Sequence, residues 1–130
     1  MNKWLGLKVG NFSELFLVID KTNNLVGVND SYWCSVTVDI RNNHVSLMVY
    51  GDILTSFEVN EIKKNMKLIL DKKILESFEL KTIEDRLNFI FHEDSIDLKI
   101  RMDNSNDYYN LYLNSNDIKN IYDYLIKIDI

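Results

Sequence analysis

At 130 residues, 46% hydrophobic and 27% charged, the chain has the length of one domain (1–130) and enough apolar content for a core without a disulfide or metal staple. A formal net charge of -5, with no basic stretch beyond pairs such as Lys63-Lys64 and Lys72-Lys73, excludes the clustered positive surface that binds nucleic-acid phosphates. No apolar run nears the roughly 18 residues of a membrane span, the N-terminus shows no signal-peptide pattern and Cys34 is the lone cysteine, so the expectation is a cytoplasmic protein with no membrane partner.

Leu5, Leu7 and Val9 recur at every second position, as do Leu15, Leu17 and Ile19 after the Gly10-Asn11 break, and predict an opening pair of strands. Lys21 to Ser31, with Thr22-Asn23-Asn24, Gly27 and Asn29-Asp30, reads as a loop. From Tyr32 to Ile40 the apolar positions Cys34, Val36, Val38 and Ile40 alternate with Ser35, Thr37 and Asp39, the mark of a half-buried strand. Arg41-Asn42-Asn43-His44 predicts a tight turn, Val45, Leu47 and Val49 the return strand, and Gly51-Asp52 another turn. Ile53 to Val59 is expected to be extended and to lead into a helix over about 60–72, with Asn60 as N-cap and Ile62, Met66, Ile69 and Leu70 on its apolar face.

The second half predicts strands at Phe78 to Thr82, Leu87 to Phe91, Ile96 to Met102 and Tyr109 to Leu113, separated by Glu84-Asp85, Glu93-Asp94-Ser95 and the polar run 103–107. Such short connections require antiparallel neighbours, since a parallel return needs a crossover of about a dozen residues. A closing helix over about 115–128, capped by Ser115 or Asn116, presents Ile118, Ile121, Tyr122, Leu125 and Ile126. The expected architecture is α+β: one antiparallel meander sheet of six to nine strands covered by two α-helices.

No catalytic, cofactor or metal motif stands out. His44 and His92 are too far apart for a helical zinc pair, and His92 with Glu93 and Asp97 is a poor metal set for solvated turns, so no metal is expected. No two glycines have phosphate-loop spacing, which leaves no expected cofactor. Cys34 shares the dry face with Val36 and Val38, where a thiol is inert. The tail is rich in tyrosine and aspartate. Tyr109 and Tyr122 fit the core pattern, whereas Tyr108, Tyr112 and Tyr124 fall on the other face, ringed by Asp103, Asp107, Asp117 and Asp123. Those seven residues form the expected partner-binding patch: exposed tyrosines give contact area at low entropy cost, and acids steer a basic partner.

The run Asp30-Ser31-Tyr32-Trp33 followed by alternating Val36 and Val38, then Leu54-Thr55-Ser56-Phe57-Glu58 with Glu61-Ile62, then Leu87-Asn88-Phe89, resembles the WapI-type immunity proteins of bacterial polymorphic toxin systems. The resemblance spans roughly Phe16 to Ile128, and the first dozen residues have no counterpart in it. It implies a cytoplasmic, non-enzymatic protein that binds and neutralises a cognate toxin domain. The acidic balance suits a basic toxin such as a nuclease. The competing readings are a homo-oligomeric accessory domain and, further off, a small-molecule binder. The free protein is expected to be a monomer or homodimer.

Overall fold

The alternating segments form two antiparallel meanders in a computed structural model that describes residues 1–27, 30–102 and 105–130. Strands β1 (Leu5–Val9), β2 (Ser13–Leu25), β3 (Tyr32–Arg41) and β4 (Ser46–Thr55) lie in that order in sheet A and run directly into helix α1 (Ser56–Leu70). Strands β5 (Phe78–Leu80), β6 (Leu87–Phe91), β7 (Ile96–Arg101) and β8 (Tyr108–Leu113) lie in order in sheet B, followed by helix α2 (Ser115–Lys127). The eight strands among the described residues match the expected number but not the expected single sheet. Hairpin signals specify sequential neighbours, and the 15-residue helix α1 separates the fourth strand from the fifth.

Three local corrections have physical causes. Residues 21–25, expected in a loop, continue β2: their polar side chains give no hydrophobic alternation, yet the backbone still pairs with β3, and Thr22 Oγ1 donates to the Trp33 carbonyl at 2.8 Å. Gly51-Asp52 is a bulge within β4, not a turn. Cys34 pairs with Leu54 and Ser35 with Asp52, so Ile53 is the extra residue, and Gly51 takes the φ of 134° that favours glycine. Helix α1 begins four residues before Asn60 because Thr55 is its N-cap. The Thr55 side chain accepts from Glu58 N at 3.0 Å, and Glu58 Oε1 accepts from Thr55 N at 2.9 Å, a closed capping box. The same device starts α2, where Asn114, not Ser115 or Asn116, pairs with Asp117.

The inner face of sheet A, the inner face of sheet B and the apolar stripes of both helices converge on one core cluster. Helix α1 packs on β3, β4 and β6, helix α2 on β8 and β1, and the two helices on each other, so each helix touches both sheets. Glu58 reinforces that tie. It is 5% exposed, and its Oε2 accepts from Ile83 N, in the segment between β5 and β6, at 2.8 Å.

Removing this carboxylate leaves two backbone donors unsatisfied. Glu58→Ala is expected to cost about 2–4 kcal/mol, read from the urea-unfolding midpoint, and Glu58→Gln, whose amide has one acceptor oxygen, about half as much. A loss below roughly 1 kcal/mol for the alanine variant, within the range of one ordinary hydrogen bond, would show that the bridge to Ile83 carries no weight.

Candidate functional site

The groups that chemistry might use are engaged elsewhere. Cys34 is wholly buried, and burial, with the nearby Asp52 and Glu58 carboxylates adding to it, pushes its thiol up to about 11. His92 Nδ1 lies 2.6 Å from Ser77 Oγ, and its Nε2 2.9 Å from Asp97 Oδ2. That is the order serine, histidine, aspartate, with the two ring nitrogens used in the opposite sense to a serine-protease triad. Ser77 is exposed in the irregular segment before β5. The cleft next to the β6–β7 turn is lined by Lys72, Glu93, Asp94 and Lys119 rather than by Ser77 or His92. Acyl transfer also needs donors aimed at the oxyanion in a water-excluded site, so this trio has the character of a strap holding the approach to β5 against the β6–β7 turn.

Among the described residues the core between the sheets and helices holds no ligand chamber, and the cleft of about 520 Å³ between α1, α2 and the β6–β7 turn is open to solvent and lined mainly by charged and polar side chains. The gap at the centre is about 40 Å³ and lined by apolar side chains including Leu17, Val36, Leu54, Ile62 and Phe89, far below the roughly 300–1,000 Å³ of a ligand pocket. A second cleft, beside Phe57 and Ile83, reaches the Glu58 carboxylate, whose oxygens already accept from Thr55 N and Ile83 N.

Six of the seven residues expected to bind a partner are described, and those six do not gather on one surface. Tyr108 and Tyr112 project from the outer face of sheet B, and Tyr108 Oη donates to Asp85 Oδ2 at 2.7 Å; that bond holds the Asp85 carboxyl below its usual range and the Tyr108 phenol above its own. Asp107 is exposed just before β8, and Asp103 lies outside the described residues. Asp117 is buried at 6% exposure inside the α2 capping box, and Asp123 faces Lys119 at 3.4 Å along α2. Tyr124, expected on the exposed face, is half-buried. Its hydroxyl donates to Lys3 O at 2.7 Å and accepts from Ile19 N at 3.3 Å. The reason lies in β2, which outruns β1: beyond Leu17 its edge has no strand neighbour, so Tyr124 takes the Ile19 N–H while Asn2 Nδ2 donates to the Ile19 carbonyl at 2.7 Å.

A different surface stands out. Both helices pack on the inner side of sheet A, and the outer side carries Phe16, Val18, Trp33, Met48 and Tyr50, with Trp4 one residue before β1. Tyr50 is 70% exposed, Trp4 56% and Met48 50%. Across the strands Gly6, Phe16, Asp39 and Met48 form one row. A Cβ at Gly6 would stand 3.3 Å from the Phe16 ring, so the glycine lets that ring lie across β1. Asp39 is buried in the same row. Arg41 donates to its Oδ2 from Nε at 3.1 Å and Nη2 at 2.8 Å, and the Arg41 guanidinium carbon lies 5.4 Å from the Phe16 ring centroid. The outer face of sheet B, by contrast, presents Asp97, Lys99, Asn110 and Tyr112 beside the buried Asn88, a mainly polar face with Ile90 as its aliphatic exception.

A family model described as the immunity protein WapI-like family matches residues 3–128, reaching through the N-terminal strand for which the sequence reading found no counterpart. No curated protein and no solved structure matches the chain.

Tyr124→Phe removes one hydroxyl from two backbone partners and is expected to cost about 1–2 kcal/mol, seen as a lowered melting temperature. Cys34 is expected to resist a thiol reagent in the native protein at pH 8 and to react once per chain after unfolding. Because its folded pKa is raised, the stability it contributes is complete below pH 9 and is lost as pH rises towards 11. Rapid native-state labelling at pH 8 would contradict this.

Proposed function

This chain belongs to the WapI-like immunity protein family, and from that premise we propose that it binds a cognate toxin domain in the cytoplasm and neutralises it by contact, with no catalysis of its own. Family membership over nearly the whole chain is the observation that carries the reading. Two features support the mode of action. His92 and Cys34 are held in structural roles, which suits occlusion better than chemistry. The net charge of -5 suits a toxin with a basic, nuclease-type substrate surface, because opposite charge speeds encounter and discriminates against other partners. No helix among the described residues is long and apolar enough to cross a membrane.

Co-expression with the toxin domain encoded immediately upstream is expected to rescue growth, and the purified pair to form a complex whose association slows by about tenfold between low salt and 0.3 M salt. Absence of a complex at low salt would end the reading. A complex indifferent to salt would leave immunity in place and remove the basic-partner component.

A further inference from the structure

We propose that the outer face of sheet A is the surface on which the toxin domain docks, with the Phe16, Met48 and Tyr50 side chains at its centre. The proposal rests on the immunity reading and adds to it the site and the chemistry of the partner's contact surface: an apolar centre bordered by cations.

The composition of the face is the first argument. A half-buried antiparallel sheet ordinarily alternates apolar inside and polar outside, as sheet B does. Sheet A breaks that rule on β2 and β4, where Phe16, Val18, Met48 and Tyr50 occupy the outward positions, and Trp4 extends the surface. Trp, Tyr, Met and Arg are the residues enriched at the centres of protein interfaces, and scattered single exposures would not fall in adjoining cross-strand rows. Three strands of about ten residues and the five-residue β1, at roughly 4.8 Å spacing and roughly 3.3 Å per residue, give the whole face an area on the order of 550 Å², somewhat below the roughly 800 Å² per partner of a standard interface.

Charge selects the occupant. Glu14, Asp20, Asp39 and Asp52 stand on this face against Lys8 and Arg41, and Arg41 is already engaged by Asp39. Asp20 and Asp52 flank Ser35 in one row, an acidic border at one end of the apolar patch. A second copy of the chain would bring a like-charged border and a like net charge of -5 to the same interface. A cationic toxin surface meets neither penalty.

The test titrates the purified chain and its variants against the toxin domain encoded immediately upstream by calorimetry at low salt, with circular dichroism melts run on each variant. Met48→Ala and Tyr50→Ala are each expected to weaken binding at least tenfold, and Asp52→Asn to slow association and flatten its salt dependence. Tyr112→Ala, on the outer face of sheet B, is expected to stay within twofold of wild type. Tyr50→Lys keeps a long side chain at an exposed position and gives an independent reading if truncation lowers the melting temperature. Wild-type binding by the Met48 and Tyr50 variants, or a loss on Tyr112→Ala instead, overturns the assignment while the immunity reading stands. Failure of the wild-type chain to bind overturns that reading itself. A wild-type dimer in sedimentation that Tyr50→Lys dissolves also overturns the assignment, since the face would then serve a second copy.

Discussion

Glu58 holds its carboxylate, buried, between the backbone N–H groups of Thr55 and Ile83, so one side chain both starts α1 and ties it to the segment before β6. A carboxylate out of water is costly unless its oxygens are hydrogen-bonded, and here each oxygen has a backbone donor. The geometry this requires is narrow. Strand β4 must stop at Thr55, α1 must leave at the capping-box angle, and the β5–β6 connection must lie against the start of the helix. Once these hold, Val59, Ile62, Met66 and Ile69 face the shared core and the second sheet is positioned relative to the first.

The second half repeats the plan of four meandering strands and a capped helix, but closes differently. Asp117 forms the corner with Asn114, while the long-range tie comes from Tyr124 and Asn2. Asn2 also donates from its side chain to the Asp129 carbonyl at 3.2 Å and accepts from Asp129 N at 3.2 Å, so the two ends of the chain meet over the uncovered edge of β2. One half is therefore locked through a buried carboxylate and the other through neutral hydroxyl and amide groups. The two strand-to-helix corners share one solution, for Thr55 with Glu58 and Asn114 with Asp117 are in each case a cap residue and the acid three positions on.

Much of this was legible wherever burial on one face dictated the pattern. Cys34, Val36, Val38 and Ile40 are all buried on the inner face as their alternation requires, and the turn at residues 41–44 falls where asparagine pairs predict it. The start of α1 was misread because Ile53, Thr55, Phe57 and Val59 happen to alternate. The stripe Val59, Ile62, Met66, Ile69 at helical spacing and the Thr-x-x-Glu signature at 55–58 were the competing signals, and the capping box decided between them. The division into two sheets left no local trace, because pairing beyond hairpins is set by packing rather than by neighbouring residues. Tyr124 was misplaced for a similar reason, its partners being 105 and 121 positions away. The outer face of sheet A did leave a signal: Phe16-Leu17-Val18-Ile19 and Leu47-Met48-Val49-Tyr50 are apolar at consecutive positions, which a one-sided strand has no reason to be.

A sheet face suits inhibition by occlusion in a way that loops do not. Strands β2 and β3 are paired on both sides and β1 and β4 on one, so the side chains stand in fixed rows, less backbone freedom is lost on docking than in a loop, and more of the contact energy survives as affinity. Gly6 leaves room for the Phe16 ring across β1, and the ring lies against the Arg41 guanidinium. Asp39 and Arg41 are charged groups in an otherwise apolar row, yet they are hydrogen-bonded to each other before any partner arrives. Covering them therefore buries a satisfied pair, without the large penalty attached to a lone charge. At the border Asp20 accepts from Asn2 N and Asp52 is exposed, and on the proposed face such charges would act mainly on encounter rate and partner choice. On the proposed docking face the apolar rows would supply the affinity and the acidic margin the discrimination, and both belong to the same four strands that Glu58, through α1, ties to the second sheet.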